Sequence, residues 1–134
     1  MKNIDVDLVL KGVPRSKKNG MVIARNSRNR LFMTQGKVYQ QYEKDCLLQI
    51  PAKDRIGIDY PVNVRCMYYM STHRRVDLGN LLAATCDILT KAKVLEDDNA
   101  KIVVGHDGSR VLVDKDDPRV EIFIERVEVR PDAI

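Results

Sequence analysis

Alternation of apolar and polar residues in three segments restricts this chain to a fold that contains a β-sheet. The first segment, "IDVDLVL", places Ile4, Val6, Leu8 and Leu10 on one face of a strand. The segment "VNVRCMYYM" predicts a second strand over 62–70. Near the end of the chain, "VEIFIERVEV" alternates into a final strand.

The region after the first strand is predicted to be a basic loop followed by a hairpin. In the loop, "KGVPRSKKNG", glycines and a proline interrupt regular structure around two lysines. The hairpin, "MVIARNSRNRLFMT", has predicted arms at 21–24 and 31–33 and a turn at 26–29. Three arginines cluster at its tip.

Two segments carry the apolar spacing of a helix. Thr34 is predicted to cap the first, which runs to about Ile50 and ends before Pro51. Its apolar stripe comprises Val38, Tyr42 and Cys46, broadened by Tyr39 and Leu47. Asp77 is predicted to cap the second. Its apolar side is Leu78, Leu81, Leu82, Thr85, Ile88 and Leu89, and its opposite side is Asn80, Ala84, Asp87 and Lys91.

A second hairpin is predicted near the end of the chain, where Asp107-Gly108 separates apolar runs at 102–104 and 111–113. These elements predict an α+β fold, with two main helices against a mixed sheet of about five strands. At 134 residues and 15.3 kDa, the chain fits a single domain over residues 1–134.

Composition excludes several classes of protein. No apolar run is long enough for a membrane span, and the acids within the N-terminal apolar stretch argue against a signal peptide. Three widely spaced cysteines argue against a disulfide framework and for a reducing cytosol, where they would be small buried hydrophobes. A net charge of +4 permits a nucleic-acid partner, but 5% aromatic residues disfavour a stacking platform for single strands.

The segment "HRRVDLGNLLAATCDILTKAKVLEDDN" places acids at both ends of the second helix. Taken singly, Asp77 is more simply a helix cap, Asp87 a partner for Lys91, and Asp97-Asp98 part of a turn. Taken together, they are oxygen ligands of the kind that Mg²⁺ uses beside phosphate. A bound Mg²⁺ can activate water and neutralise the leaving oxygen in phosphodiester hydrolysis.

This segment resembles the signature of the RusA family of Holliday-junction resolvases, and "PRSKKN" more loosely resembles that family's loop after its first strand. The residues that match in order and spacing are Asp77, Leu78, Asn80, Leu81, Asp87, Leu89, Asp97 and Asp98. The resemblance implies a small homodimeric endonuclease of bacterial or phage (often prophage) origin, in the cytoplasm. Such an enzyme uses Mg²⁺, with Mn²⁺ as an alternative, to nick four-way junctions symmetrically in recombination and repair.

By the same resemblance, Asp77 and Asp98 are metal-binding catalytic residues and Asp97 is a catalytic neighbour. Two positions depart from the family pattern: its second aspartate is Gly79 here, and its lysine is Ala83. Glu96 or Asp87 could restore a carboxylate, and Lys91 or Lys93 a positive charge. If neither compensates, the chain would be an impaired DNA-binding protein on the same fold. A non-catalytic protein-interaction domain is a third alternative.

The length of the second helix bears on how Asp77 and Asp98 could meet. A helix from Asp77 to about Lys91 is roughly 20 Å long. The few residues that follow could just span this distance if fully extended. Either the chain doubles straight back, or Asp98 meets Asp77 from a second subunit in a two-fold dimer.

Further residues are predicted to contact DNA or to support the active site. No small-molecule cofactor is expected, because no phosphate loop, nucleophile elbow or Cys/His metal motif is present in the sequence. His73 and His106 are expected in surface or hydrogen-bonding roles. Asn80 and Asp87 are possible supporting residues. The candidate DNA contacts are Lys17, Lys18, Asn19, Arg28, Arg30, Arg74, Arg75 and Lys91.

Overall fold

A five-stranded mixed sheet is the centre of the fold in the computed structural model, which describes residues 4–17 and 21–134. The strands are β1 (Ile4–Lys11), β4 (Val62–Met70), β5 (Val103–Gly105), β6 (Arg110–Val113) and β7 (Arg119–Arg126). Antiparallel pairing joins β1 to β7 and β7 to β4. β5 and β6 both pair with β4 in parallel. The predicted α+β class and the sheet of about five strands are confirmed.

The alternation seen in the sequence forms the buried face of this sheet. Val6, Leu8 and Leu10 are buried, and Ile122 of β7 lies between Leu8 and Cys66 in register. Ile4, predicted on the same face, is exposed, because the pairing with β7 shifts register between Ile4 and Val6. All three cysteines are buried and free, as predicted.

The prediction of a hairpin around Asp107-Gly108 is wrong. β5 and β6 do not pair with each other; they follow one another along the same edge of β4. The intervening loop is fastened to β4 by polar side chains. The Asn63 amide accepts a hydrogen bond from Asp107 N and donates one to Asp107 O, while Ser109 Oγ accepts from Cys66 N. These bonds replace the ladder that a hairpin would have supplied.

The first helix, α1 (Lys37–Gln49), begins later than predicted. Thr34 lies within a strand and Gly36 occupies the N-cap position, without a side-chain cap. Pairing with the neighbouring strand outweighed the local capping preference of threonine. Val38, predicted in the buried stripe, is exposed, whereas Tyr39 and Tyr42 are buried. The buried face of α1 comprises Tyr39, Tyr42 and Cys46.

The second helix, α2 (Leu78–Lys91), begins where the sequence predicts. Asp77 Oδ1 accepts a hydrogen bond from Asn80 N at 3.0 Å, so the predicted cap is confirmed. Ala84 was assigned to the outer side but is buried, since its small side chain allows close packing. A hydrogen bond of 2.7 Å between the Tyr68 and Thr85 hydroxyls joins β4 to α2 inside the core.

The hairpin predicted after the basic loop is confirmed as β2 (Met21–Arg25) paired with β3 (Leu31–Gln35). These strands form a two-stranded sheet of their own. Two predicted DNA contacts, Lys18 and Asn19, lie outside the described residues. Within the described part of the chain, no helix is long and apolar enough to cross a membrane.

Candidate active site

A cleft of about 800 Å³ opens beside the N-terminus of α2. The loop after β1, the start of α1 and the segment from Met70 to Asp77 form its walls. Four cationic side chains and one carboxylate line it: Arg15, Lys37, Arg74, Arg75 and Asp77. The buried Ser16 hydroxyl also lines it and has no hydrogen-bond partner among the described residues. The charged side chains that line the cleft are therefore mainly positive.

The capping role of Asp77 fixes its carboxylate at the mouth of this cleft. One oxygen, Oδ1, accepts the hydrogen bond from Asn80 N, and the residue is exposed. The preceding Arg74 and Arg75 are exposed as well and line the same cleft. Asp77, Arg74 and Arg75 therefore line one cleft. The sequence did not single out Arg15 or Lys37, which come to the cleft from distant elements.

The second acidic group lies in the turn after α2. Lys93 takes a left-handed conformation (φ 63°), and the chain then runs back beside Ile58, to which Leu95 forms a parallel bridge. Asp97 accepts a hydrogen bond from Asn99 Nδ2 at 2.8 Å. This bond, with a weaker contribution from the backbone of Asp98, lowers the pKa of Asp97. The Asp97 side chain is therefore kept ionised.

Asp98 lies near enough to Cys86, in the middle of α2, for its charge to act on that thiol. Burial raises the pKa of the Cys86 thiol to about 12, and the negative charge of nearby Asp98 adds to the increase. The helical rise from Asp77 to Cys86 is about 13 Å. Asp98 does not line the cleft that contains Asp77. Within residues 4–17 and 21–134, no group of three or more His, Cys, Asp or Glu side chains is arranged to hold a metal ion.

The sequence did not reveal a contact between Cys86 and His106. Cys86 Sγ lies 4.0 Å from His106 Nε2, and His106 Nδ1 lies 2.9 Å from the carbonyl oxygen of Val64. A carbonyl only accepts hydrogen bonds, so His106 Nδ1 donates to Val64. His106 therefore has the hydrogen-bonding role predicted for it, and it connects the β5–β6 loop to α2.

Asp87 is held in a network of ion pairs on the outer side of α2. Its Oδ2 lies 2.8 Å from Lys17 Nζ and 3.3 Å from Lys91 Nζ, and Lys91 also contacts Glu43 at 2.9 Å. Partial burial opposes ionisation of Asp87, but Lys17 and then Lys91 outweigh it and lower its pKa. The pairing with Lys91 expected for a surface aspartate is confirmed. Lys17 and Lys91, two candidate DNA contacts, are both engaged by acids here.

The two positions that depart from the family pattern differ in the room they leave for a larger side chain. A Cβ atom added at Gly79 would lie 3.2 Å from Asp77 Oδ1, the oxygen that caps α2, and this oxygen would have to shift by a few tenths of an ångström. Ala83 is exposed on α2. Packing therefore does not explain the alanine, whereas the close contact with Asp77 Oδ1 favours glycine at position 79.

A carboxylate at the mouth of a cationic cleft suits a protein that binds the phosphodiester backbone of nucleic acid. A family model described as endodeoxyribonuclease RusA matches residues 11–125 of the 134-residue chain. The chain belongs to this family, as its sequence predicted, and the family comprises nucleases that resolve Holliday junctions. A comparison with curated proteins finds no match.

Proposed function

We propose that this protein is a Mg²⁺-dependent endodeoxyribonuclease that resolves four-way DNA junctions by symmetric nicking. It would act in the cytoplasm of a bacterium or of a phage-infected cell. The observation that carries the proposal is the Asp77 carboxylate, fixed among cations at the cleft mouth in a chain of the RusA family. The oxygen donors of Asp77 and Asp98 are of the kind that Mg²⁺ binds, and Mn²⁺ could replace it.

In this mechanism, Arg74 and Arg75 hold the phosphates that flank the scissile bond. Guanidinium groups bind phosphate oxygens in a bidentate manner and stabilise the charge that develops during attack. Asp77 and Asp98 would hold the metal, with Asp97 beside them. The metal, when bound, supplies activation of the attacking water and neutralisation of the leaving oxygen. The capping bond to Asn80 N fixes the orientation of the Asp77 carboxylate.

We also propose that the enzyme is a homodimer whose two sites each take residues from both subunits. Asp98 does not line the cleft that contains Asp77, which supports a second subunit as the source of one of the two carboxylates. A two-fold dimer supplies two nicks at a junction of near two-fold symmetry. Analytical ultracentrifugation at micromolar concentration should show a dimer; a monomer alone would refute the composite site.

A second candidate function is supported by Gly79 and Ala83. If both missing groups are essential, the protein binds junctions without cutting them. Ala83 is exposed, and Gly79 accepts a side chain if Asp77 Oδ1 shifts by a few tenths of an ångström, so the combined substitution Gly79→Asp and Ala83→Lys tests this directly. If the wild type is an impaired nuclease, the substituted protein should nick junctions at least about tenfold faster, equivalent to about 1.4 kcal/mol of activation free energy.

The decisive experiment compares wild type with Asp98→Asn on an end-labelled four-way junction in Mg²⁺. Asp59→Asn is the matched control, since Asp59 is also exposed but lies away from the cleft lining. Paired nicks that Asp98→Asn abolishes and Asp59→Asn preserves would support the enzyme. Salt-sensitive binding without nicks would support the second candidate. Absence of binding at low salt would refute both, because phosphate contacts are strongest there.

A further inference from the structure

The positive charge of this chain resides in one segment. Residues 8–42 contain 8 lysines and arginines and not one aspartate or glutamate. The rest of the chain has 15 basic residues against 19 acidic ones, so its net charge is −4. The overall +4 therefore comes from a segment that includes the basic loop, the β2–β3 hairpin and the start of α1. Such segregation gives the segment a net positive charge that attracts polyanions, and of its described basic residues Lys11 and Lys17 pair with Asp117 and Asp87.

The β2–β3 hairpin has a rigid tip. Asn26 Oδ1 accepts hydrogen bonds from the backbone amides of Arg28 and Arg30, at 2.9 and 3.0 Å. Arg25 Nη1 donates to the carbonyl oxygen of Asn29, which takes a left-handed conformation (φ 61°). Arg28 and Arg30 are exposed, and in the part of the chain that the structure describes neither forms an ion pair. The tip thus displays two unneutralised cations on a fixed turn.

The hairpin also exposes apolar side chains. Ile23 is 67% exposed and Leu31 is 62% exposed. Leu31 pairs with Arg25, two residues from Ile23 along β2, so these three side chains share one face of the hairpin. The opposite face carries Phe32, which is also exposed. A two-stranded ribbon is marginally stable alone. The exposed apolar face of the hairpin is therefore the surface that we expect a partner to cover.

We infer that the β2–β3 hairpin is an arm that contacts branched DNA, with Arg28 and Arg30 on phosphates and Ile23 and Leu31 against bases at the branch point. This inference rests on the proposed function for its substrate. Charge complementarity selects DNA, because the flanking segment is basic and free of acids throughout. Apolar wedges are used by DNA-binding proteins against unstacked base steps. A branch point exposes such base faces, whereas intact duplex does not.

The arginines and the apolar residues should have separable effects. Phosphate contacts carry no information about branching, so Arg28→Ala with Arg30→Ala should weaken binding to junction and duplex alike. Each lost contact should reduce the slope of log K against log salt concentration by about 0.9. Ile23→Thr with Leu31→Thr places β-branched residues, which suit a strand, at both positions and removes apolar surface. This pair should weaken junction binding by roughly tenfold while leaving duplex binding nearly unchanged.

The experiment measures binding of the full chain to a fluorescent four-way junction and to a duplex of the same sequence, in EDTA and over a range of salt. Without metal, binding is scored independently of cleavage. Arg110→Ala with Arg130→Ala is the matched control for charge, since both arginines are exposed elsewhere. Leu48→Gln is the control for apolar surface, because Leu48 is 85% exposed on α1. Circular dichroism of each variant verifies folding.

The predicted result is a salt slope lower by about 2 for the arginine pair, with loss of junction preference for the apolar pair. Wild-type behaviour of both pairs, or equal effects from the controls, would overturn the inference. If Ile23→Thr with Leu31→Thr instead converts a dimer to a monomer and weakens both DNAs equally, the apolar face binds a second copy and the inference is wrong. A protein that binds through the hairpin but never nicks would refute the proposed nuclease alone.

Discussion

Asp77 has two separable roles, one structural and one proposed to be catalytic, and substitution can distinguish them. Its Oδ1 accepts the 3.0 Å hydrogen bond that caps α2, and its carboxylate faces the cationic cleft. Asn retains an oxygen acceptor but loses the charge, whereas Ala loses both. We therefore predict that both variants lose nicking activity and that only Asp77→Ala loses substantial stability.

The expected losses of stability follow from the hydrogen bond by which Asp77 caps α2. Loss of an aspartate N-cap costs about 1 kcal/mol of unfolding free energy, so Asp77→Ala should lower the melting temperature by roughly 3–5 °C in a domain of this size. Asp77→Asn forfeits only the favourable charge–dipole interaction, about 0.3–0.5 kcal/mol at an exposed site. Its melting temperature should fall by no more than about 2 °C.

The assay combines calorimetric melting with single-turnover nicking of a four-way junction, with Asp59→Asn and Asp59→Ala as controls for loss of an exposed acid. If Asp77→Asn nicks at the wild-type rate, Asp77 is only a cap and its catalytic assignment is wrong. If Asn destabilises as much as Ala, the capping argument is wrong. Either result can occur without the other, so the two roles are tested independently.

Two further predictions concern stability. Tyr68→Phe removes the buried bond to the Thr85 hydroxyl and should lower the unfolding free energy by about 1–2 kcal/mol in urea denaturation; a change near zero would show that the bond contributes nothing net. Asp87→Asn should cost up to about 1 kcal/mol at pH 7. Because the folded-state pKa of Asp87 is lowered by Lys17 and Lys91, that cost should disappear as pH falls through the carboxylate range below about 4. A pH-independent cost would contradict the ion-pair explanation.

Features set by local chemistry could be predicted from the sequence. The strand over 62–70 has its observed bounds because its residue pattern suits a buried strand and Pro61 precedes it. The start of α2 at Asp77 follows from cap chemistry between near neighbours. Thr34 shows the limit of such reasoning, since pairing with Val22 across the β2–β3 hairpin placed it in β3 instead of at a helix cap.

Features set by distant partners could not be predicted. The parallel pairing of β5 and β6 with β4 depends on which strand edge is free, and turn residues carry no information about that. The sequence indicated only some of the residues that line the cleft, because Arg15 and Lys37 reach it from two separate elements. The position of Asp98 beside Cys86 likewise depends on how the chain reverses after α2.

The most direct test of the central claim is the pattern of nicks that the wild-type protein makes in a four-way junction with each strand labelled in turn, in Mg²⁺ and in EDTA. We predict two symmetric nicks, in opposite strands, that require Mg²⁺ and do not occur on linear duplex. Undiminished nicking in EDTA would contradict metal dependence. Absence of nicks in Mg²⁺ and in Mn²⁺, from a protein that binds the junction, would contradict the claim that this chain is a junction-resolving nuclease.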